Sequence, residues 1–517
     1  MLIPIVYIAV RATDRGWGTF RDTLWRGRTA DLLWRSIELG VVVTAACAVL
    51  GIGCAWLVSS TDLPGRRFWQ VALAMPLALP SYIVAWAWIG WRPDLAGFRG
   101  AAIVLTTISY PYVYLPVLGA LRSADPGLAE VARSSGRRPL SVFLTVTMRQ
   151  VRIAATGGSI LVMLYVLSEF GAVSIMRYQT LTQVIYSSYR ASFDRTPAAV
   201  LGCVLVVVAV IPLWLAVRTS ASARVSRVGS GVTRQATPVA LGRWRWPMCA
   251  AVGALVGISL GVPAWNLARW MDRGTSTTPW SEVIDAALTT LWIAVITAAV
   301  TVLIALPLGL LSARYPGRFA RGVTTIAYAG HSLPGIVVAL SLVFFGIRYA
   351  EPIYQRLPML IAAYVVIFLS LAIGAVHGAI AQAPPVLDEV ARSSGRSMIG
   401  TWFAVTLRLA APGIGTAAAL VCIATMKELP ATLLLRPIGT ETLATRLWSK
   451  TDAVSYAAAA PYAIALVVTA SIPTAILTYA TLRTRADRSL RSFSFRSGPR
   501  SSDGRARLAA RPLRRTR

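Results

Sequence analysis

The octapeptide EVARSSGR stands at Glu130–Arg137 and again, letter for letter, at Glu389–Arg396, 259 positions further on. The match continues around it at the same offset. Pro126 and Leu128 return as Pro385 and Leu387, and Val146, Thr147 and Arg149 return as Val405, Thr406 and Arg408. Glu169 and Arg177 return as Glu428 and Arg436. Shorter matches lie at nearby offsets of 252 and 254: Leu63-Pro64-Gly65-Arg66 with Tyr315-Pro316-Gly317-Arg318, and Leu79-Pro80-Ser81 with Leu333-Pro334-Gly335. One offset of half the chain, held over so many positions, marks a duplicated half-protein. Whatever this chain folds into must contain the same unit twice.

The unit is built for lipid. Hydrophobic residues make up 56% of the 517 and charged residues 14%, against roughly a quarter charged in a soluble domain. Bare backbone in lipid must satisfy its own hydrogen bonds, so such a chain is expected to be helical. Apolar runs of about 20 residues, the length that crosses a bilayer, occur near 37–58, 68–91, 101–121, 155–176 and 199–217. The second half gives 247–268, 288–312, 323–347, 359–381, 413–434 and 459–482. Met1–Val10 is apolar but too short to span. It reads as the end of a first helix that begins upstream or as an interfacial anchor, and it lacks the cleavage site of a signal peptide. The expected fold is an all-α integral membrane protein of two homologous halves, about six spanning helices each and 11–12 in total. The expected boundaries are a first half at 1–217, a linker at 218–246, a second half at 247–482 and an Arg-rich, disordered tail at 483–517.

Charge sets the orientation. The net charge is +30, and lysine occurs only at Lys427 and Lys450, so arginine carries nearly all of it. The linker holds Arg218, Arg224, Arg227, Arg234, Arg243 and Arg245 with no acid. By the positive-inside rule the linker, the tail, both octapeptides and the connections at 60–68 and 314–321 face the cytoplasm. Arg11–Arg35 is basic yet falls outside, partly offset by Asp14, Asp22 and Asp31. The Arg-rich tail suits anionic lipid headgroups, and nothing argues for nucleic acid. Cys47, Cys54, Cys203, Cys249 and Cys422 are scattered without CxxC spacing, and His331 and His377 are the only histidines. No disulfide framework and no stable metal site is expected. A GxxxxGK[ST] phosphate loop is absent, so this chain does not hydrolyse ATP through one.

Each octapeptide sits in a polar segment between spans, at about 122–152 and 382–412. Asp125-Pro126 can start a helix, by capping and by a proline in the first turn. Gly136 can end it in a left-handed conformation, and Leu140–Met148 can begin a second helix. The result is a helix–glycine–helix elbow, present twice. An idle loop would have drifted, so two identical copies argue for a contact surface.

The elbows resemble the EAA loops of ABC importer permeases, in which a Glu, an Ala two residues on and a Gly four residues after the Ala recur. Glu130, Ala132 and Gly136 match, as do Glu389, Ala391 and Gly395. Val131 and Val390 stand where the family usually has Ala, and Arg149 and Arg408 where it often has Pro. The resemblance implies the type I importer permease fold and an elbow that docks into an ATP-hydrolysing subunit, so no enzyme activity in this chain. It further implies two copies of that subunit, which uses the ATP, an extracytoplasmic solute-binding protein and a bacterial cytoplasmic membrane. Over nearly the whole chain the likeness narrows to fused two-half ferric-iron permeases, through Ser168–Ser174 in the first half and Lys427–Thr432, Leu435-Arg436-Pro437 and Thr442–Thr445 in the second. Glu169 stands where that family commonly has Asp. Thiamine, polyamine, sulfate or phosphonate remain alternative cargoes, and a secondary transporter without ATP is the rival of another class.

Glu169 and Glu428 are read as lying late in equivalent spans. An intramembrane carboxylate is expensive and marks a pathway or a tight pair. Two of them related by a pseudo-two-fold axis could flank a route for Fe³⁺, a hard cation that prefers oxygen ligands. Alternatively each pairs locally, Glu428 with Lys427 or Arg436 and Glu169 with Arg177. Tyr110, Tyr112 and Tyr114 also offer oxygens, but interface packing explains them more simply. His331 and His377 read as satisfied buried histidines.

Overall fold

The computed structural model describes residues 2–191, 195–221, 238–272, 278–315, 317–331 and 333–473. The expected disordered tail at 483–517 and the central arginines of the linker lie outside them, as does the side chain of His331. Seven helices carry the first half: α1 (Leu2–Thr13), α2 (Gly27–Ser60), α3 (Ser81–Trp91), α4 (Phe98–Ser123), α5 (Pro126–Ser134), α6 (Phe143–Ser168) and α7 (Thr196–Ala221). Seven counterparts follow: α8 (Gly242–Asp272), α9 (Trp280–Arg314), α10 (Gly335–Tyr349), α11 (Leu357–Ala381), α12 (Pro385–Ser393), α13 (Met398–Lys427) and α14 (Tyr456–Pro473). Among the described residues there is no strand, only an isolated bridge between Thr61 and Val239. Among the described residues nine helices are long and apolar enough to cross a membrane, ten if one bent pair counts as a span; two shorter apolar helices, Ile3–Thr13 and Gly335–Tyr349, bring these to six per half.

The tightest packing is the same in both halves. α2, α4 and α6 form one trio and α9, α11 and α13 the other. Without a hydrophobic drive between helices in lipid, close approach depends on small residues. At Gly158 an added Cβ would lie 2.7 Å from the Tyr112 carbonyl oxygen, and at Gly413 it would lie 2.3 Å from the Ala379 Cβ. Val49 on α2 and Leu303 on α9 are left exposed on the outside of the bundle, where lipid covers them.

The halves also exchange their first helices. α1 packs on α7 and on α10 of the other half, with Ile8 and Ala12 buried. Reciprocally, α8 packs on α3, where Asn266 Nδ2 donates to the Ala87 carbonyl at 2.6 Å. The short apolar stretch at the start is therefore a working part of the bundle.

Four expected spans are corrected. The stretch 68–91 is two helical pieces, Arg66–Ala78 and Ser81–Trp91, bent by 91° at Leu79-Pro80. In the second half, Arg318–His331 and α10 likewise flank Leu333-Pro334 in place of one span at 323–347. Proline lacks an N–H and its ring blocks the preceding turn, so Pro80 and Pro334 restart the chain as N-caps of α3 and α10. The spans near 155–176 and 413–434 stop early, at Ser168 and Lys427. In the second copy Pro430 enforces the stop.

Candidate functional site

Both elbows lie at the same end of the bundle as the 60–68 connection. Val239 N donates to Ser60 O at 2.8 Å and Leu241 N to Asp62 Oδ1 at 2.8 Å, tying the end of the linker to that connection. Trp56, near the end of α2, packs on Phe143 just after the first elbow.

Each elbow helix closes in the same way. In the first, Gly136 N donates to Arg133 O at 3.0 Å and Arg137 N to Ala132 O at 3.4 Å; in the second, Gly395 N donates to Arg392 O at 3.0 Å and Arg396 N to Ala391 O at 3.2 Å. This is the Schellman closure, in which the glycine must be left-handed. Gly136 and Gly395 have φ of +79° and +85°. The Ala-to-Gly spacing of the motif is thus the spacing from the acceptor carbonyl to the left-handed residue. Asp125 caps the first elbow as expected, accepting from Gly127 N at 2.9 Å; Pro384 stands at the N-cap of the second and supplies no side-chain cap.

Beyond each glycine the chain enters a helix that runs on into the membrane-spanning segment. The second helix expected at Leu140–Met148 is present and continues into α6. A π turn interrupts it at Phe143–Thr147, and another sits at Trp402–Thr406, the same place in the second copy. Such turns bend a helix and commonly sit at working positions. The outer faces of the elbows are apolar: Leu128 and Val131 in the first and Val386, Leu387 and Val390 in the second are 42–66% exposed. Glu130 is partly buried and Glu389 exposed, beside these faces.

Glu169 and Glu428 sit one residue beyond the ends of α6 and α13, in extended backbone, rather than inside the spans. Each folds its carboxylate onto a backbone amide of a short helix that follows. Ala172 N donates to Glu169 Oε1 at 3.0 Å, at the start of Gly171–Ile175; Ala431 N donates to Glu428 Oε1 at 3.1 Å, at the start of Pro430–Leu435. Threonines fix the backbone in both: Thr182 Oγ1 donates to Glu169 O at 2.6 Å and Thr432 Oγ1 to Glu428 O at 2.7 Å.

Across from each carboxylate stands the restarted helix after a proline break. Ser81 Oγ, in the first turn of α3, donates to Glu169 Oε1 at 2.7 Å. The counterpart of Ser81 is Gly335, whose bare Cα faces Glu428: a Cβ there would lie 2.8 Å from Glu428 Oε1. The two carboxylates are within electrostatic reach of each other, and the buried Tyr82 is within reach of both. Tyr165 and Tyr112 adjoin Glu169, and Tyr364 adjoins Glu428 and shares a hydrogen bond with Thr432 at 2.6 Å. A small pocket beside Glu428 is lined by Thr290, Ile293, Tyr364, Thr425, Met426, Thr432 and Thr442.

This cluster lies on the seam between halves. Phe170 and Tyr186 pack on Trp448, and Lys427 Nζ donates to Leu77 O at 3.2 Å, just before the first proline break. Among the described residues no ion pair reaches Glu169 or Glu428. Arg436 pairs instead with Glu441, Arg177 is exposed, and Lys427 is turned to Leu77. The local-pairing alternative is therefore not what the fold adopts.

Sequence reasoning missed Ser81, Tyr82, Tyr165 and Tyr364. Tyr82 follows the repeated Leu-Pro, a signal that was on the page; nothing marked Tyr165 or Tyr364. Of the flagged tyrosines only Tyr112 reaches the cluster. Tyr110 and Tyr114 are fully buried rather than interfacial, and Tyr114 OH donates to Gln70 O at 3.1 Å. His377 is satisfied, sharing a hydrogen bond with Ser312 Oγ at 2.9 Å. Among the described residues no group of three His, Cys, Asp or Glu is placed to hold a metal ion.

Comparison with known proteins gives two matches to one family model, described as binding-protein-dependent transport system inner membrane component, at residues 48–225 and 305–486. The Fe(3+)-transport system permease protein FbpB 2 of Haemophilus influenzae is 34% identical over 483 residues, covering 92% of this chain and 95% of that protein. The sulfate transport system permease protein CysW of Escherichia coli is 24% identical over 42% of this chain and 81% of its own length. The molybdate/tungstate transport system permease protein WtpB of Pyrococcus furiosus is 24% identical over 35% of this chain and 75% of its own.

Proposed function

The chain belongs to the binding-protein-dependent inner-membrane components, the permeases of ABC importers, with both family units fused in one chain, and from that premise we propose that it carries ferric iron. It is a multi-pass permease of the cytoplasmic membrane. The observation that favours iron is likeness over nearly the full length to a ferric-iron permease, where the sulfate and molybdate permeases match less than half of the chain. Sulfate is the second reading, since such permeases share a single unit with this chain.

Each elbow receives one copy of an ATPase subunit on its exposed apolar face, with Glu130 and Glu389 at the rim and Ala132–Gly136 and Ala391–Gly395 fixing the turn. An uncovered apolar patch on a cytosolic loop calls for a partner. An extracytoplasmic binding protein hands the cargo to the outer face. The linker and tail lie in the cytoplasm with the elbows. ATP-driven closure of the partner moves both elbows and switches the seam between inward and outward access. Glu169 and Glu428, with tyrosine hydroxyls around them, present oxygens at the seam. The cation passes as a substrate, held transiently.

Uptake of ⁵⁵Fe³⁺ tests the cargo, in cells lacking this chain and then restored, with an ATPase-dead partner as control. Uptake that needs both the chain and hydrolysis is expected; iron uptake that ignores the chain, with sulfate uptake that needs it, would transfer the assignment to sulfate. For docking, Glu130→Ala with Glu389→Ala should weaken co-purification of the ATPase subunit, and undiminished recovery would count against it.

A further inference from the structure

The two elbows share a sequence, yet they are not fastened alike. In the second, Asp388 ties three elements together. Its Oδ2 pairs with Arg314 NH2 at 3.1 Å, at the very end of α9, and its Oδ1 accepts from Thr406 Oγ1 at 2.8 Å, in the π turn that opens α13. Arg314 NH2 also donates to Ala383 O at 3.0 Å, directly before the elbow helix. The pair is largely shielded, with the two side chains 13% and 19% exposed, so solvent screens it less than a surface ion pair.

The equivalent positions of the first half do not carry the residues for this ion pair. Ala129 stands where Asp388 does, and Asp62 stands where Arg314 does. Asp62 spends its carboxylate on Leu241 N of the linker, and the first elbow is anchored through Asp125 N donating to Gln150 Oε1 at 3.0 Å.

We infer that Arg314, Asp388 and Thr406 are positioning residues that bolt the second elbow to α9 and so carry its motion to the Glu428 side of the seam, and that the first elbow has no equivalent bolt. The route onward is contiguous. α9 packs along α13, which ends at Glu428, and Thr290 and Ile293 of α9 line the pocket beside that carboxylate. Two elements joined at one end by an ion pair and along their length by packing move as a unit, the kind of rigid element through which coupling passes. This inference rests on the reading that the elbows dock the ATPase.

Hydrogen–deuterium exchange on the full complex, chain plus ATPase subunit in lipid nanodiscs, tests it with and without a non-hydrolysable ATP analogue. Asp388→Ala installs the residue that the first elbow already carries, and Arg314 keeps its bond to Ala383 O. In the parent, the elbow helix Pro385–Ser393 should be shielded by the ATPase subunit, and α9 peptides should change exchange when nucleotide is added. In Asp388→Ala the elbow should remain shielded while the nucleotide response of α9 disappears and that of α2 persists. The swapped pair Arg314→Asp with Asp388→Arg should restore the α9 response. An α9 response that survives Asp388→Ala, or a swapped pair that fails to restore it, overturns the bolt. Loss of elbow shielding in Asp388→Ala alone also overturns it, by making Asp388 a docking contact. An unshielded elbow in the parent complex instead refutes docking itself.

Discussion

Duplication supplied this chain with two elbows and two seam carboxylates, and the two pairs have diverged to different extents. The elbows kept their local geometry: the same closure, the same left-handed glycine, the same π turn at the same distance. The carboxylates kept only their backbone cradle. Glu169 is gripped by Ser81 as well as by Ala172 N, whereas Glu428 faces a glycine and has Ala431 N and a small pocket beside it. The difference follows from what each pair meets. On the proposed docking, two copies of one ATPase surface require two copies of one matching shape, which would hold both elbows to a single solution. On the proposed route, a cargo crossing the seam would meet both carboxylates at once, and no physical requirement makes their roles equal. On that reading, symmetry of sequence survives where the partner is symmetric.

The strongest way to break this comparison is to remove both charges. Glu169→Gln with Glu428→Gln should lower uptake by about 100-fold, some 2.7 kcal/mol at tenfold per 1.4 kcal/mol, while the ATPase subunit still co-purifies. Near-normal uptake in that double variant would end the pathway role of the pair. The single variants then sharpen it. A Gln can still accept from Ser81 and Ala172 N at 169 and from Ala431 N at 428, so both cradles survive; the carboxylate at 428 simply has fewer donors to hold it. Glu428→Gln should therefore cost about tenfold in uptake, roughly 1.4 kcal/mol, and Glu169→Gln several-fold less. Equal losses would mean that the carboxylates act symmetrically after all.

A smaller effect probes the elbows. Alanine is strained at φ near +80°, with a cost of about 1 kcal/mol. Gly136→Ala and Gly395→Ala should each weaken ATPase binding by roughly fivefold, to the same extent, read by titration of the solubilised chain with the ATPase subunit. A large gap between the two variants would show that the shared closure does not govern docking.

How much of this was legible in the sequence depends on the range of the forces involved. The elbows were readable because a Schellman closure is a local affair, written within seven residues from Glu130 to Gly136. The duplication, and hence the pairing of Glu169 with Glu428, was readable as a repeat. The proline breaks were visible as Leu79-Pro80 and Leu333-Pro334 but were passed over, because apolar composition continued across them and hydropathy is blind to a missing N–H. The ends of α6 and α13 were misplaced for the same reason. The exchange of α1 and α8 between halves could not be read at all: a face that packs on a distant helix looks the same as one that packs on a near helix. The tyrosines around the carboxylates were equally hidden, since Tyr165 and Tyr364 reach them only by folding.

The smallest expected effect is the one that isolates the Ser81–Glu169 contact. Ser81→Ala removes one donor and leaves the carboxylate with Ala172 N. A hydrogen bond to a charged group contributes about 1.5–3 kcal/mol to stability, so the purified chain should unfold measurably earlier in a thermal ramp. Uptake should fall by less than about twofold, roughly 0.4 kcal/mol, because the hydroxyl positions Glu169 without supplying its charge. The two readouts separate the possible roles of the serine. A drop in stability with little loss of uptake makes Ser81 a clamp that holds Glu169 at the seam. A loss of uptake as deep as that of Glu169→Gln would place the hydroxyl on the route itself, and the contrast between the two carboxylates would then have to be drawn through Ser81 and Gly335 instead.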